Sequence, residues 1–92
     1  MKTLGVDIAH RFAVNLIELR GQAGLSQEEL AFRASIHRTH VSQMESGKRL
    51  PRFETLVKLV GALDASPEAL MTGITWKPNV RTTGGLSVSD PT

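Results

Sequence analysis

Cysteine is absent from the 92 residues, which excludes a disulfide framework and any thiolate-bound metal. Long apolar runs are absent too, so no segment has the length of a membrane span. Met1-Lys2-Thr3-Leu4-Gly5 reaches Asp7 without the apolar stretch of a secretory signal. A soluble, cytoplasmic protein with no membrane partner is therefore expected. Internal repeats are missing. No nucleophile–base pair, phosphate-cradling glycine loop or set of metal ligands stands out, so neither catalysis nor a cofactor is expected. His37 and His40 stand three apart at a helix start, but no third ligand accompanies them, which argues against a metal site.

Acidic residues are scarce in one region. Between Arg33 and Arg52 lie Arg33, Arg38, Lys48, Arg49 and Arg52, with His37 and His40 among them, and the only acid is Glu45. The formal net charge of the chain is only +2, so the basic character is local. A local basic field is the electrostatic footprint of a phosphate-backbone partner, although alone it is also compatible with an ordinary solvated surface. At this length the chain holds one small domain of modest stability.

Leu25-Ser26-Gln27-Glu28-Glu29-Leu30 combines several helix-start devices. Ser26 is a good N-cap, Glu29 is placed to reach back to its amide, and Leu25 and Leu30 flank them as a hydrophobic staple. A second helix start follows at Ile36-His37. Two short helices separated only by Ala34-Ser35-Ile36 read as a helix-turn-helix over residues 26–46, a motif that places a helix in the DNA major groove.

Apolar spacing organises the rest. Ile8, Phe12, Leu16, Leu19 and Ala23 mark a first helix from about Asp7, its cap, to Gln22, with Gly24 as the stop. The second helix is expected from Gln27 to about Ala34 and the third from Arg38 to about Ser46, stopped by Gly47. Pro51 sets a loop before a fourth helix over Phe53–Leu63, whose inward stripe is Leu56, Leu59, Val60 and Leu63. Ser66-Pro67-Glu68 starts a short fifth helix ending near Gly73. Beyond it, Thr75-Trp76-Lys77 and Leu86-Ser87-Val88 are short-strand candidates with Gly84-Gly85 as a turn; a frayed tail from Gly84 onward is the alternative. The expected organisation is a DNA-binding domain over residues 1–73 and a tail over 74–92. Trp76, the only tryptophan, is expected to pack on this domain or on a second copy.

Leu30, Ala34, Ile36, Val41 and Met44 are the inward positions of the two-helix corner, and Ala31 is the small residue that lets the helices approach. The outward positions of the third helix are His37, Arg38, Thr39, Ser42, Gln43 and Ser46, all able to hydrogen-bond and none acidic. Arg38 suits a bidentate contact to guanine and Gln43 one to adenine, while Thr39 offers a methyl to thymine. Gln27, at the start of the second helix, together with Lys48, Arg49 and Arg52, supplies phosphate contacts. Glu45 needs neutralising so close to DNA, and Arg20 is placed to pair with it and lock the first helix to the third.

The stretch from Leu19 to Met71 resembles the Cro/phage-repressor type of helix-turn-helix, the XRE family of regulators. The resemblance is carried by Leu19-Arg20, Gly24-Leu25-Ser26-Gln27-Glu28-Glu29-Leu30-Ala31, Val41-Ser42, Glu45, Gly47-Lys48-Arg49, Pro51 and Thr55-Leu56 through Leu63. It implies an all-α, five-helix lambda-repressor-like domain that binds double-stranded DNA as a symmetric dimer. It also implies base contacts from His37, Arg38, Thr39, Ser42 and Gln43, and phosphate contacts from Gln27 and Arg52. Three positions depart from the family pattern: Ser35 and Asp64 stand where glycine is usual, and His37 where a small polar cap is usual.

The expected function is thus a sequence-specific transcriptional regulator, a repressor acting as a homodimer on an inverted repeat. Dimer contacts are assigned to Leu70, Met71, Ile74 and Trp76, with Ile17 as a weaker candidate. The rival within the same fold is an antitoxin whose tail from Ile74 binds a toxin, or another regulatory protein, while its helices repress their own operon.

Overall fold

The computed structural model describes residues 4–78 and 85–88. They form five helices and a two-stranded sheet: α1 (Leu4–Ala23), α2 (Gln27–Ala34), α3 (Arg38–Glu45), α4 (Phe53–Leu63), α5 (Pro67–Leu70), β1 (Ile74–Lys77) and β2 (Gly85–Val88). No helix among the described residues is long and apolar enough to cross a membrane.

Helix ends follow local chemistry. The Ser26 hydroxyl accepts from the Glu29 amide at 3.0 Å, and the Ser26 amide donates to Glu29 Oε1 at 2.8 Å, closing the capping box. These bonds hold the Glu29 carboxyl below the usual carboxylate range. Ser66 caps α5 by accepting from the Ala69 amide, with Pro67 at the first helical position. Helices α1, α2, α3 and α4 all end on the same pair of tail bonds. At the end of α1 the Leu25 amide donates to the Arg20 carbonyl and the Gly24 amide to the Gly21 carbonyl, with Gly24 left-handed at φ +70°. Gly47 plays that part after α3. After α2 and α4 it falls to Ser35 (φ 56°) and Asp64 (φ 51°). Their side chains make the turn dearer than glycine would, yet its geometry is retained.

Helix α1 begins at Leu4 rather than Asp7, so Asp7 lies within the helix and is not its cap. The inward stripe of α1 is Phe12 and Leu16, with Ile8 and Leu19 half-buried; Ala23 is exposed because α1 has by then run past the core. Leu16, Leu30, Val41, Met44, Leu59 and Leu70 are fully enclosed, each worth about 1.5–3 kcal/mol of burial. Ala31 and Ala34 sit in the same core, where α2 packs on α3 and α4.

The tail forms a sheet rather than a frayed end as far as it is described. β1 and β2 pair antiparallel, Ile74 opposite Val88 and Lys77 opposite Gly85. Gly85 is therefore a strand residue and not part of a two-glycine turn, and Gly84 lies outside the described residues, as do 89–92. Ile74 packs half-buried against the core.

A buried polar residue ties α5 to α1. Asn15 is 3 % exposed, and its side-chain amide donates to the carbonyls of Leu70 at 2.9 Å and Thr72 at 3.0 Å. Arg11 Nε adds a second donor to the Thr72 carbonyl.

Candidate nucleic-acid interface

Helices α2 and α3 meet at the Ser35 turn, with Val41 and Met44 of α3 buried against Leu30, Ala31 and Ala34. This leaves the opposite face of α3 outward. His37, Arg38 and Thr39 are exposed, and Ser42 and Gln43 are half-buried on the same helix. None of these five is acidic, and none is enclosed in the core. His37 is the N-cap of α3 and makes no side-chain capping bond; its carbonyl accepts from the His40 amide at 2.9 Å.

Glu45 sits at the end of α3 as the hub of a network. Arg20 Nε donates to Glu45 Oε2 at 2.6 Å, and Arg20 Nη2 donates to Oε1 at 2.9 Å, a two-pronged pair. Arg20 Nη1 donates onward to the Leu25 carbonyl at 2.9 Å. Hydrogen bonding to Glu45 holds the Arg20 guanidinium above its ordinary pKa, against the opposing effect of partial burial. The third contact is Gln27 Nε2, which donates to Glu45 Oε1 at 2.9 Å. One carboxylate thus joins the end of α1, the start of α2 and the end of α3. Gln27, expected from the sequence to meet a phosphate, has one side-chain amide hydrogen committed to Glu45, which leaves the second and the backbone amide for another acceptor.

The cations after α3 are placed differently from one another. Lys48 and Arg49 follow the left-handed Gly47 and are exposed. Arg49 Nη1 donates to Gln43 Oε1 at 3.3 Å, so the Gln43 amide turns its oxygen to Arg49 and its NH₂ elsewhere. Arg52 is the N-cap of α4 and also makes no side-chain capping bond. Arg49 and Arg52 share an open cleft with His37 and His40. Burial, followed by Arg49, Arg52 and His37, holds the His40 imidazole below its ordinary pKa.

The residues assigned to a dimer face divide. Leu70 is 0 % exposed and belongs to the core, with its carbonyl held by Asn15, so it cannot contact a second copy. Ile74 is mostly spent on the same core. Met71, Trp76 and Ile17 remain outward, and Trp76 is 59 % exposed. The tryptophan is thus only partly covered by its own domain.

Two parts of this site escaped the sequence reading. The Gln27–Glu45 bond was foreshadowed by Glu45 as a lone acid among cations, which needs every donor within reach. His40 as a wall of the cleft had no local signal, because the other walls lie in a separate loop and helix.

The comparisons with known proteins agree with this geometry. The HTH_3 family model, described as helix-turn-helix, matches residues 16–70. The HTH-type transcriptional regulator y4dJ of Sinorhizobium fredii is 34% identical over 67 residues, covering 73% of this chain and 87% of that protein. The control protein C.SmaI of Serratia marcescens is 36% identical over 67 residues, covering 73% and 80% respectively. Among solved structures, the restriction-modification controller protein C.AhdI of Aeromonas hydrophila superposes with a TM-score of 0.65 at 40% identity, covering 67% of this chain and 94% of that one. Proteins of this type are non-catalytic. A corner of two capped helices, an acid-free outward helix face and these matches lead to one conclusion: the chain belongs to the HTH_3 helix-turn-helix family and is an XRE/Cro-type, DNA-binding transcriptional regulator.

Proposed function

We propose that the chain is a cytoplasmic repressor that works as a homodimer on an inverted-repeat operator. The observation that carries this reading is the face of α3 formed by His37, Arg38, Thr39, Ser42 and Gln43: unblocked by the protein's own interior, free of acid and flanked by Lys48, Arg49 and Arg52. In the major groove Arg38 pairs with guanine, and Thr39 meets a thymine methyl. Gln43 donates through its NH₂ while Arg49 holds its oxygen, and reads adenine through both amide atoms once Arg49 turns to a phosphate. Residues 1–73 form the DNA-binding domain and 74–92 a tail that contributes to the dimer contact. Met71 and Trp76, with Ile17, supply the exposed apolar surface for that contact. The symmetric pair of recognition helices then spans about one helical turn of DNA, ~34 Å.

Selection of bound sites from random duplex DNA, followed by sizing of the complex, tests the whole reading. A palindromic motif occupied by a pair of chains is expected; a non-selective, salt-labile complex of single chains overturns it. The controller relatives make restriction–modification genes the first place to search for the selected motif.

Substitutions separate the roles. Arg38→Ala relaxes preference at one base pair of each half-site and costs ~1–3 kcal/mol per contact, read by binding to single-base variants of the operator. Arg52→Ala weakens binding to all sequences alike and flattens the logarithmic salt slope by ~1 per protomer, read by salt titration. A sequence-selective loss in the Arg52 variant contradicts its assignment to the backbone.

A further inference from the structure

Four parts of the chain enclose an open cleft of about 670 Å³ beside the outward face of α3. Its walls are the turn Ser35–His37, His40 on the first turn of α3, the loop from Arg49 to Arg52, and Glu54, Thr55 and Lys58 on α4. The N-caps of both α3 and α4, His37 and Arg52, are among these residues, and neither caps its helix with its side chain. The charged and titratable groups on the cleft are His37, His40, Arg49, Arg52 and Lys58 on one side of the balance and Glu54 alone on the other. Glu54 is matched by Lys58, whose Nζ lies 3.7 Å away. The remaining field is that of two arginines and two imidazoles around a half-buried space.

We propose that this cleft seats one phosphodiester group of the DNA backbone, and that His40 takes up a proton as the phosphate enters. His40 is thereby a phosphate-binding residue. The inference rests on the reading of α3 as the helix that docks on duplex DNA.

The physical argument concerns the sign of the field at the imidazole. In the free chain, desolvation and the Arg49, Arg52 and His37 charges all oppose protonation, so His40 is neutral near pH 7. A phosphodiester carries one negative charge and accepts hydrogen bonds. Placed among Arg49, Arg52 and His40, it cancels the repulsion and gives the protonated imidazole a partner. The bound-state pKa therefore lies above the free-state value. Linkage then fixes the direction. The extra affinity is complete below the free-state pKa and is lost as pH rises through the bound-state pKa. Between the two values affinity falls by up to ~10-fold per pH unit for each protomer engaged. Because a backbone phosphate carries no sequence information, the effect is equal for operator and non-operator DNA.

The test follows the imidazole resonances of the full chain by NMR, free and bound to a short mixed-sequence duplex at low salt, across pH ~5.5–8. The expected result is a His40 midpoint below the ordinary histidine value when free and raised by about one unit or more in the complex. Binding assays over the same range are expected to show affinity rising as pH falls, and His40→Gln to remove that slope while keeping the base preference of the selected operator. An unmoved His40 midpoint in a chain that does bind the duplex overturns the proposal and leaves the operator reading intact. A slope that survives His40→Gln and disappears in His37→Gln overturns it in favour of the neighbouring imidazole. Inorganic phosphate alone, without DNA, producing the full shift overturns the assignment to the DNA backbone and makes the cleft a free-anion site. Failure to bind any duplex overturns the functional reading itself. The NMR arm uses the unaltered chain, so it stands even if a histidine variant fails to fold.

Discussion

Replacing Arg20 with alanine lowers stability by about 3 kcal/mol, read as a shift of the urea midpoint with an unchanged slope. The expected loss is large because of where the charge remains. Glu45 has a side chain only 5 % exposed, and Arg20 supplies two of its three hydrogen-bond donors among the described residues. Without the guanidinium the carboxylate is stranded beside Gln27 alone, and an uncompensated buried charge costs ~3–5 kcal/mol. Arg20 is 22 % exposed, so water partly fills the space it leaves, which places the loss at the lower end of that range. The Leu25 carbonyl also loses its donor. Arg20→Lys is expected to fall between the two, since an ammonium keeps the charge but cannot span both carboxylate oxygens and the carbonyl. Lys58→Ala is the contrast: it breaks only an exposed contact at 3.7 Å one helical turn from Glu54, and under ~0.5 kcal/mol is expected. A loss from Arg20→Ala no greater than that of Lys58→Ala would show that Glu45 is well solvated. The Arg20 variant also slackens Gln27, whose amide is oriented by the same carboxylate, so its DNA affinity falls further than stability alone accounts for when measured well below the unfolding temperature.

How much of this was legible beforehand depends on how local the signal is. The bounds of α2 and α4 agree with the residues expected for them because each end is written in adjacent side chains. Ser26 and Glu29 close one end of α2, and the left-handed Ser35 closes the other. The corner core was legible for the same reason: Leu30, Ala34, Val41 and Met44 follow helical spacing on two short segments joined by a short turn. The Arg20–Glu45 pair was legible from charge, since a lone acid in a basic field needs a partner.

The tail was not legible in that way. Helix α5 has only four residues, so it shows no stripe, and nothing in Leu70-Met71 tells which of the two turns inward. The placement of α5 against α1 and α4 decides it: Leu70 is enclosed and Met71 exposed. Asn15 presents a related limit. It lies on the inward stripe, three residues after Phe12 and four before Leu19, so its burial follows from spacing. Its partners do not, because they are backbone carbonyls 55 and 57 residues away, and a carbonyl leaves no mark in the amino-acid sequence. The cleft at His40 escapes for a similar reason, since its walls come from the α2–α3 turn, α3 itself, the following loop and α4.

The Asn15 clamp carries the prediction with the largest expected effect. Asn15→Asp keeps the side-chain shape and replaces a donor by an acceptor. The new carboxylate faces the Leu70 and Thr72 carbonyls in a site that is 3 % exposed in the parent chain. Arg11 reaches the Thr72 carbonyl, but the Leu70 carbonyl loses its Asn15 donor. Several kcal/mol of destabilisation follow near pH 7, of the order of ~3–5, a large fraction of what a domain this small commands. The sign of its pH dependence is opposite to that of an ordinary acid-labile protein. The buried aspartate has a folded-state pKa raised above its unfolded value of ~3.9, because the protonated form can donate to one carbonyl and the ionised form to none. The variant is therefore relatively most stable below the unfolded pKa, and that stability is lost as pH rises through the folded one. Thermal unfolding of parent and variant from pH ~4 to ~7.5 checks this. The gap between them widens with pH, whereas a gap that is small and constant would mean that water, and not Asn15, satisfies the carbonyls. Asn15→Asp also bears on assembly. The clamp sits directly before Met71 and joins α5 and the start of the sheet to α1, so loosening it displaces the surface around Trp76. Self-association measured at pH values where the variant remains folded should then weaken together with operator affinity, while the α2–α3 corner, to which the Asn15 amide donates no hydrogen bond among the described residues, keeps its base preference.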